Sequence, residues 1–212
     1  MNDYFYIDSF AEWRETDSEK TPDVGFVPAM IRRRLTGVEK TGLYLANMVC
    51  PDRRDFYTVF ASRFGEWGQT VKLIKQFYED GEMSPAAFSS SVHNATPGIL
   101  SVIKHNTMSY TTIAAGERTI GEALTETFAG PKPVLFVYAE ERTPDLYRSV
   151  FPEPFGGHGA AFLLSDKDNG GRKIKAESFF SEGRVCRFND LTAFLAGGGE
   201  LVTEHFMIRN AR

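Results

Sequence analysis

The chain has 212 residues, 42% of them hydrophobic and 25% charged, enough for one globular core. Its formal net charge of −4 argues against general nucleic-acid binding, which needs a positive field. Two cysteines, Cys50 and Cys186, are too few for a disulfide scaffold.

The opening stretch MNDYFYIDSFAEW has no basic segment followed by an apolar core, so no signal peptide is expected. No apolar run approaches membrane-spanning length, and a cytoplasmic location is expected. YFYIDSF (4–10) reads as a strand and residues 14–25 as a polar loop. A helix follows, because Leu35, Val38, Gly42, Leu45 and Val49 recur at spacings of three and four; Pro51 stops it. Arg32, Arg33 and Arg34, with Lys40 on the same predicted helix, form the one dense basic run. It reads as a solvated helix face or, functionally, as a patch for an acidic partner. Cys50 at the end of this helix reads as a structural thiol, since the dipole there raises a thiol pKa.

DFYTVFASR (55–63) predicts a buried strand. A second helix carries Trp67, Val71, Ile74 and Tyr78 on one stripe and ends at EDGEMSP. The stretch AAFSSSVHNATPGILSVIKHN predicts a small-residue loop and a short helix. SYTTIAA then reads as a strand, ERTIGEALTETF as a helix and PVLFVYAEE as a strand. After a loop with Pro144, Pro152 and Pro154 come strands HGAAFLLSD and KIKAESFF, a short helix DLTAFLA, a GGG turn and a last strand LVTEHFMI. Alternating strands and helices followed by successive strands predict a mixed α/β sandwich, one domain over residues 1–212.

The histidines His93, His105, His158 and His205 are dispersed, and no paired C-x-x-C exists, so no metal site is expected. Glycine-rich phosphate loops are missing, so no nucleotide cofactor is expected. SSSVHN places Ser89, Ser90 and Ser91 beside His93. One reading is a Ser–His nucleophile of a hydrolase or acyltransferase; the other is a turn whose hydroxyls and imidazole bond the backbone. Cys186 lies near Arg184 and Arg187, which could lower its pKa, but no histidine partner is evident and it reads as structural. The strand-to-helix turn after SYTTIAA is a place where α/β enzymes present a nucleophile, yet it offers only Ala114, Ala115 and Gly116.

AFSSSVHNATPGILSV (87–102), TIAAGERTIGEALTET (112–127) and GGHGAAFLLS (156–165), in that order, resemble the N-terminal half of a β-ketoacyl synthase. RRRLTGVEKTGLYLA and VFASRFGEWGQTVKLI fit the same family, and the resemblance spans about residues 26–165. The resemblance implies a thiolase-like fold: a mixed sheet with helices packed on it. The chain also resembles the half-length ketosynthase-like proteins of aryl polyene-type biosynthesis, which look like chain length factors, the noncatalytic partners of type II ketosynthases. In the family this turn carries the acyl-accepting cysteine. One register puts that position near Ile113 and another near Gly116, and residues 112–119 contain no cysteine. The family's second half, with its two catalytic histidines, has no counterpart here. His158 stands where the family pattern has an acidic residue, and His205 matches no catalytic motif. Together these departures imply a noncatalytic subunit.

The resemblance further implies pairing with a separate ketosynthase through the strand Ser109, Tyr110, Thr111, Thr112, Ile113, Ala114 and Ala115. An acyl carrier protein would be met through that complex. Phe88, His93, Asn94 and Met108 are the candidates for lining the far end of an acyl tunnel, with Phe88 and Met108 as steric stops or ordinary interface core. The alternatives are the serine-dependent enzyme and a purely structural homodimer paired through SYTTIAA.

Overall fold

The computed structural model describes residues 4–150 and 155–211. The elements run β1 (Tyr4–Arg14), α1 (Ala29–Arg32), α2 (Gly37–Val49), β2 (Tyr57–Ala61), α3 (Trp67–Asp80), α4 (Pro85–Ser89), α5 (Ala95–Lys104) and β3 (Tyr110–Ile113). They continue as α6 (Thr119–Ala129), β4 (Val134–Glu140), β5 (His158–Ser165), β6 (Arg172–Ser178), α7 (Phe188–Leu195), β7 (Glu200–Val202) and β8 (Phe206–Asn210). Among the described residues, eight strands form one sheet in the order β3-β2-β4-β5-β1-β6-β8-β7. The first three are mutually parallel and the rest are antiparallel to their neighbours.

The central strands are buried on both faces, which explains their nearly unbroken apolar sequences. On β4, Val134, Phe136 and Tyr138 enter the core beneath α6 and α7, while Leu135, Val137 and Ala139 enter the core beneath α2 and α5. Strand β1 serves both cores with odd-numbered residues. Phe5 and Ile7 face the first core; Ala11 and Trp13 face the second. The pairing with β5 shifts between Ile7 and Ser9, so Asp8 is an extra residue. One inserted residue swaps the faces, because side chains alternate with a period of two. Helix α2 approaches the sheet at glycines. A Cβ on Gly159 would lie 2.5 Å from the Tyr138 carbonyl oxygen and 2.7 Å from Leu45 Cδ1.

Four local expectations change. Arg32 ends α1, whereas Lys40 lies on α2, because a capping box between Thr36 and Glu39 starts a new helix there. Arg32 and Lys40 nonetheless line the same shallow groove. The stretch before His93 contains the short helix α4 rather than only a loop, with Ser84 as its cap and Pro85 opening it. On α3, Trp67 and Val71 are buried, but Ile74 is 47% and Tyr78 84% exposed, because only the first turns of this helix meet the rest of the fold. The last predicted strand is a hairpin. Thr203 Oγ1 accepts from the backbone N–H of His205 (3.2 Å) and Phe206 (2.9 Å), which turns the chain between β7 and β8. Residues 172–210 thus extend the same sheet beyond β1. Of the three loop prolines, Pro144 opens a 3-10 turn; Pro152 and Pro154 lie outside the described residues.

Three carboxylates gather between the first turns of α2 and α3 and the end of β4. Glu39 Oε2 accepts from Thr36 N (2.7 Å), and Glu141 Oε1 accepts from Gly68 N (2.7 Å). Glu39 Oε1 and Glu66 Oε2 are buried without a hydrogen-bond partner. Burial, reinforced by the neighbouring acids, pushes Glu66 up to about 9 from its ordinary 4.5. The folded chain therefore holds a proton that the unfolded chain releases. That contribution to stability is complete below the ordinary value and is lost as pH rises through about 9.

Two expectations follow. Gly159→Ala pushes a methyl against backbone and is expected to cost about 2–4 kcal/mol, read as a lower denaturant midpoint at unchanged slope. Glu66→Gln needs no proton and is expected to gain at least about 1 kcal/mol over the parent at pH 9. A thermal scan from pH 6 to pH 9 checks it, and an unchanged pH profile would remove Glu66 as the source.

Candidate functional site

Strand β3 delivers the chain to the turn that would carry a nucleophile. Gly116 has φ +61°, a conformation that favours glycine, and opens a 3-10 turn leading into α6. Thr119 Oγ1 closes the turn: it accepts from Ala115 N (3.0 Å) and donates to the Gly116 carbonyl (2.7 Å). Ile113 packs against the core beneath α6, whereas Gly116 faces a cavity of about 670 Å³. A Cβ on Gly116 would meet nothing within 4 Å.

This cavity lies outside the carboxyl ends of the parallel strands, where α/β sheets place their ligands. Arg14 and Glu15 reach it from the end of β1, Arg63 and Phe64 from beyond β2, and Tyr138 from β4. Gly156, Gly157 and His158 come from the start of β5, and Val185 to Asn189 from the approach to α7. The carboxyl end of β2 is held by the buried Glu140. Its carboxylate accepts from Ser62 Oγ (3.1 Å) and from the Arg63 backbone N–H, with Phe64 N–H and the Tyr138 hydroxyl as further donors. Burial outweighs these donors and raises Glu140 to about 7. His158 donates Nδ1–H to the Gly156 carbonyl (2.9 Å); burial first, and then Arg14, favour its neutral form.

Cys186 lines this cavity but is buried, and desolvation pushes its thiol up to about 12, outweighing Arg184. Burial therefore outweighs the flanking arginines at this thiol. Cys50, buried and donating to the Ala46 carbonyl (3.2 Å), is raised to about 11. Neither thiol has the accessible setting of a nucleophile, because both are buried.

Strand β3 is an edge strand of the sheet; among the described residues it pairs only with β2. Thr58 N–H bonds the Ser109 carbonyl and Ser62 N–H bonds the Ile113 carbonyl. Residues 109, 111 and 113 therefore face β2, and Tyr110 and Thr112 direct their backbone groups to the open edge. Ala114 and Ala115 lie beyond the strand, in the turn. Beside this edge runs a mostly apolar groove of about 550 Å³ between α1, α5 and Tyr110. Asn94 belongs to it and donates Nδ2–H to the Tyr110 hydroxyl (3.3 Å). Gly98 leaves the middle of the α5 wall open.

The four tunnel candidates separate. Asn94 lines the groove. Phe88 (54% exposed) and Met108 (45% exposed) lie on the surface outside it. His93 turns inward instead: its Nε2–H donates to the Ser62 carbonyl (2.9 Å) and its ring meets Phe60 edge-on at 5.8 Å. The serine reading loses its geometry as well. Ser89, Ser90 and Ser91 donate to the carbonyls of Ala86, Ala87 and Phe88, three residues back, at 2.9, 3.0 and 2.8 Å, at the end of α4 and just beyond it. None of these hydroxyls bonds His93.

Folding brings Glu122 to Glu204 and His205, with potential ligand atoms within 4.8 Å of one another. Arg118 Nη1 pairs with Glu204 (3.1 Å) and His205 Nε2 lies 3.5 Å from Glu122, so the group reads as an ion-pair network joining α6 to the β7–β8 turn. Sequence spacing could not reveal Arg14, Arg63, Tyr138 or Phe188 at one cavity, because they come from separate segments; the strand-end pattern was the one usable signal.

A comparison with curated proteins finds no match. Among solved structures, the ketosynthase (ApeO) in complex with its chain length factor (ApeC) from Xenorhabdus doucetiae is similar, with TM-score 0.71 and 21% identity over 87% of this chain and 82% of that chain. The type II polyketide synthase complex AntDE:AntF, an acyl-carrier protein with its ketosynthase, gives TM-score 0.65 and 14% identity over 84% and 69% of the two chains. The ishigamide ketosynthase/chain length factor gives 0.60 and 12% over 82% and 67%. At these identities the likeness is one of fold: a thiolase-like α/β half. The family model of the beta-ketoacyl synthase N-terminal domain matches residues 10–185, most of the chain, and the protein therefore belongs to that family.

Proposed function

We propose that this chain is a noncatalytic, chain-length-factor-like subunit that pairs with a separate β-ketoacyl synthase in type II polyketide-like assembly of polyene or fatty-acyl chains. One observation carries the reading: the strand that leads into the nucleophile-equivalent turn is an open sheet edge, and the turn holds no nucleophile. An open edge offers unpaired N–H and C=O groups that a partner strand satisfies. The exposed apolar side chains Met108 and Tyr110 flank that edge, as expected at the core of a partner surface. The chain's share of an acyl tunnel is then the groove beside Tyr110, with Asn94 and Gly98 in its wall rather than Phe88 or His93. A methylene contributes only about 0.8 kcal/mol of burial, so chain length is discriminated by a steric stop.

The test is co-expression of the tagged chain with a ketosynthase of the same assembly system, followed by size and intact-mass measurement. A one-to-one complex is expected. Thr112→Pro removes an edge-facing N–H that the sheet does not use. It is expected to leave the chain folded by circular dichroism and to weaken the complex by about tenfold or more. A chain that stays alone beside its ketosynthase, or pairs only with itself, overturns the reading.

A further inference from the structure

We propose that the cavity at the carboxyl ends of the parallel strands is a binding site for an organic anion: a carboxylate carried on a flat apolar body, held without covalent chemistry. Three cations reach the cavity, Arg14, Arg63 and Arg187. Two of them are fixed in place by its own aromatic walls. Arg14 Cζ sits 4.5 Å over the Phe188 ring, and Arg63 Cζ sits 4.8 Å over the Phe64 ring. Arg14 is steadied further by Asn189 Oδ1 (3.0 Å) and Thr192 Oγ1 (3.2 Å), neutral acceptors that leave its charge uncancelled.

Among the described residues, the acids at the rim do not offset this charge. Glu15 is already taken by a bidentate pair with Arg142 (2.9 and 2.6 Å) and by Lys20 (3.5 Å). Glu117 is exposed and lies 3.8 Å from Arg63, a distance at which a surface pair contributes little. Among the described residues Arg14 and Arg187 form no ion pair. In a chain of net charge −4, a cavity with spare guanidinium donors is built for an anion, and guanidinium matches a carboxylate with two parallel bonds.

The walls define the rest of the ligand. Phe64, Tyr138, Phe155 and Phe188 line the cavity, and His158 lies 4.5 Å from Phe188 and 5.3 Å from Phe155. With Nδ1–H committed to Gly156, neutral His158 leaves Nε2 as an acceptor. The volume of about 670 Å³ suits a small organic molecule. Arg187, Phe188 and Asn189 form this wall at the start of α7, just beyond residues 10–185 that match the family model. The inference is independent of the partner reading, because it needs only this chain.

Isothermal titration of the full chain with benzoate, benzamide and inorganic phosphate tests it. Benzoate is expected to bind, with benzamide and phosphate each about tenfold weaker or more. Arg14→Gln and Phe188→Ala are expected to weaken benzoate about tenfold, while Arg53→Gln, at the other end of β2, leaves it unchanged. Circular dichroism verifies that the variants fold. No benzoate binding, equal binding of benzamide, or indifference to Arg14→Gln overturns the proposal. Phosphate binding as tight as benzoate overturns it too, since the apolar body would then count for nothing.

Discussion

The buried carboxylate of Glu140 decides where the carboxyl end of β2 goes. Taking a carboxylate out of water is costly unless donors surround it, and here Ser62 Oγ, the Arg63 and Phe64 N–H groups and the Tyr138 hydroxyl converge on it. The result is a bridge between β4 and the segment after β2. Gly65 N–H bonds Ser62 Oγ (2.9 Å), and His93 bonds the Ser62 carbonyl, so the loop before α5 is fastened to the same point. Arg63 and Phe64 reach the cavity because their backbone is committed to this carboxylate. His93, a candidate for a tunnel wall or a catalytic base, is a strut of the same joint.

Two functional features share one strand. β3 ends at the Gly116 turn that leads into α6, and it is also an edge strand of the sheet. The turn keeps its conformation through Gly116 and Thr119, and residues 112–119 contain no cysteine. At this end of the sheet the cavity gathers guanidinium groups, aromatic walls and a histidine whose neutral form burial favours. The extension β6, α7, β7 and β8 supplies one wall of that space and anchors itself to α6 through Arg118, Glu122, Glu204 and His205.

Much of the architecture was legible in the sequence because it rests on local periodicity. The alternation of strands and helices, the buried stripe of α2, the apolar runs of β2 and β4 and the strand-to-helix turn all follow from spacing and breakers. The misreadings have local physical causes. The capping box at Thr36 and Glu39 separates Arg32 from Lys40, and the hydroxyl of Thr203 folds one expected strand into a hairpin. The stripe on α3 is a true helical periodicity, but periodicity reports an apolar face and not what covers it, so Ile74 and Tyr78 stand in solvent.

The sequence by itself determined the element types, the family resemblance and the missing cysteine, since each depends on residues near one another along the chain. Only the tertiary structure decided which of those residues meet. Asp8 as an extra residue changes which face Trp13 serves, Glu140 reaches Arg63 across 77 positions, and Arg14 settles on Phe188 from the far side of the chain. Serines 89 to 91 and His93 are neighbours in sequence yet point to different backbone carbonyls, because carbonyls three residues back claim the hydroxyls and the Ser62 carbonyl claims the imidazole. A site made of such long-range contacts leaves no spacing to read, because burial and charge compensation are settled only when the sheet assembles.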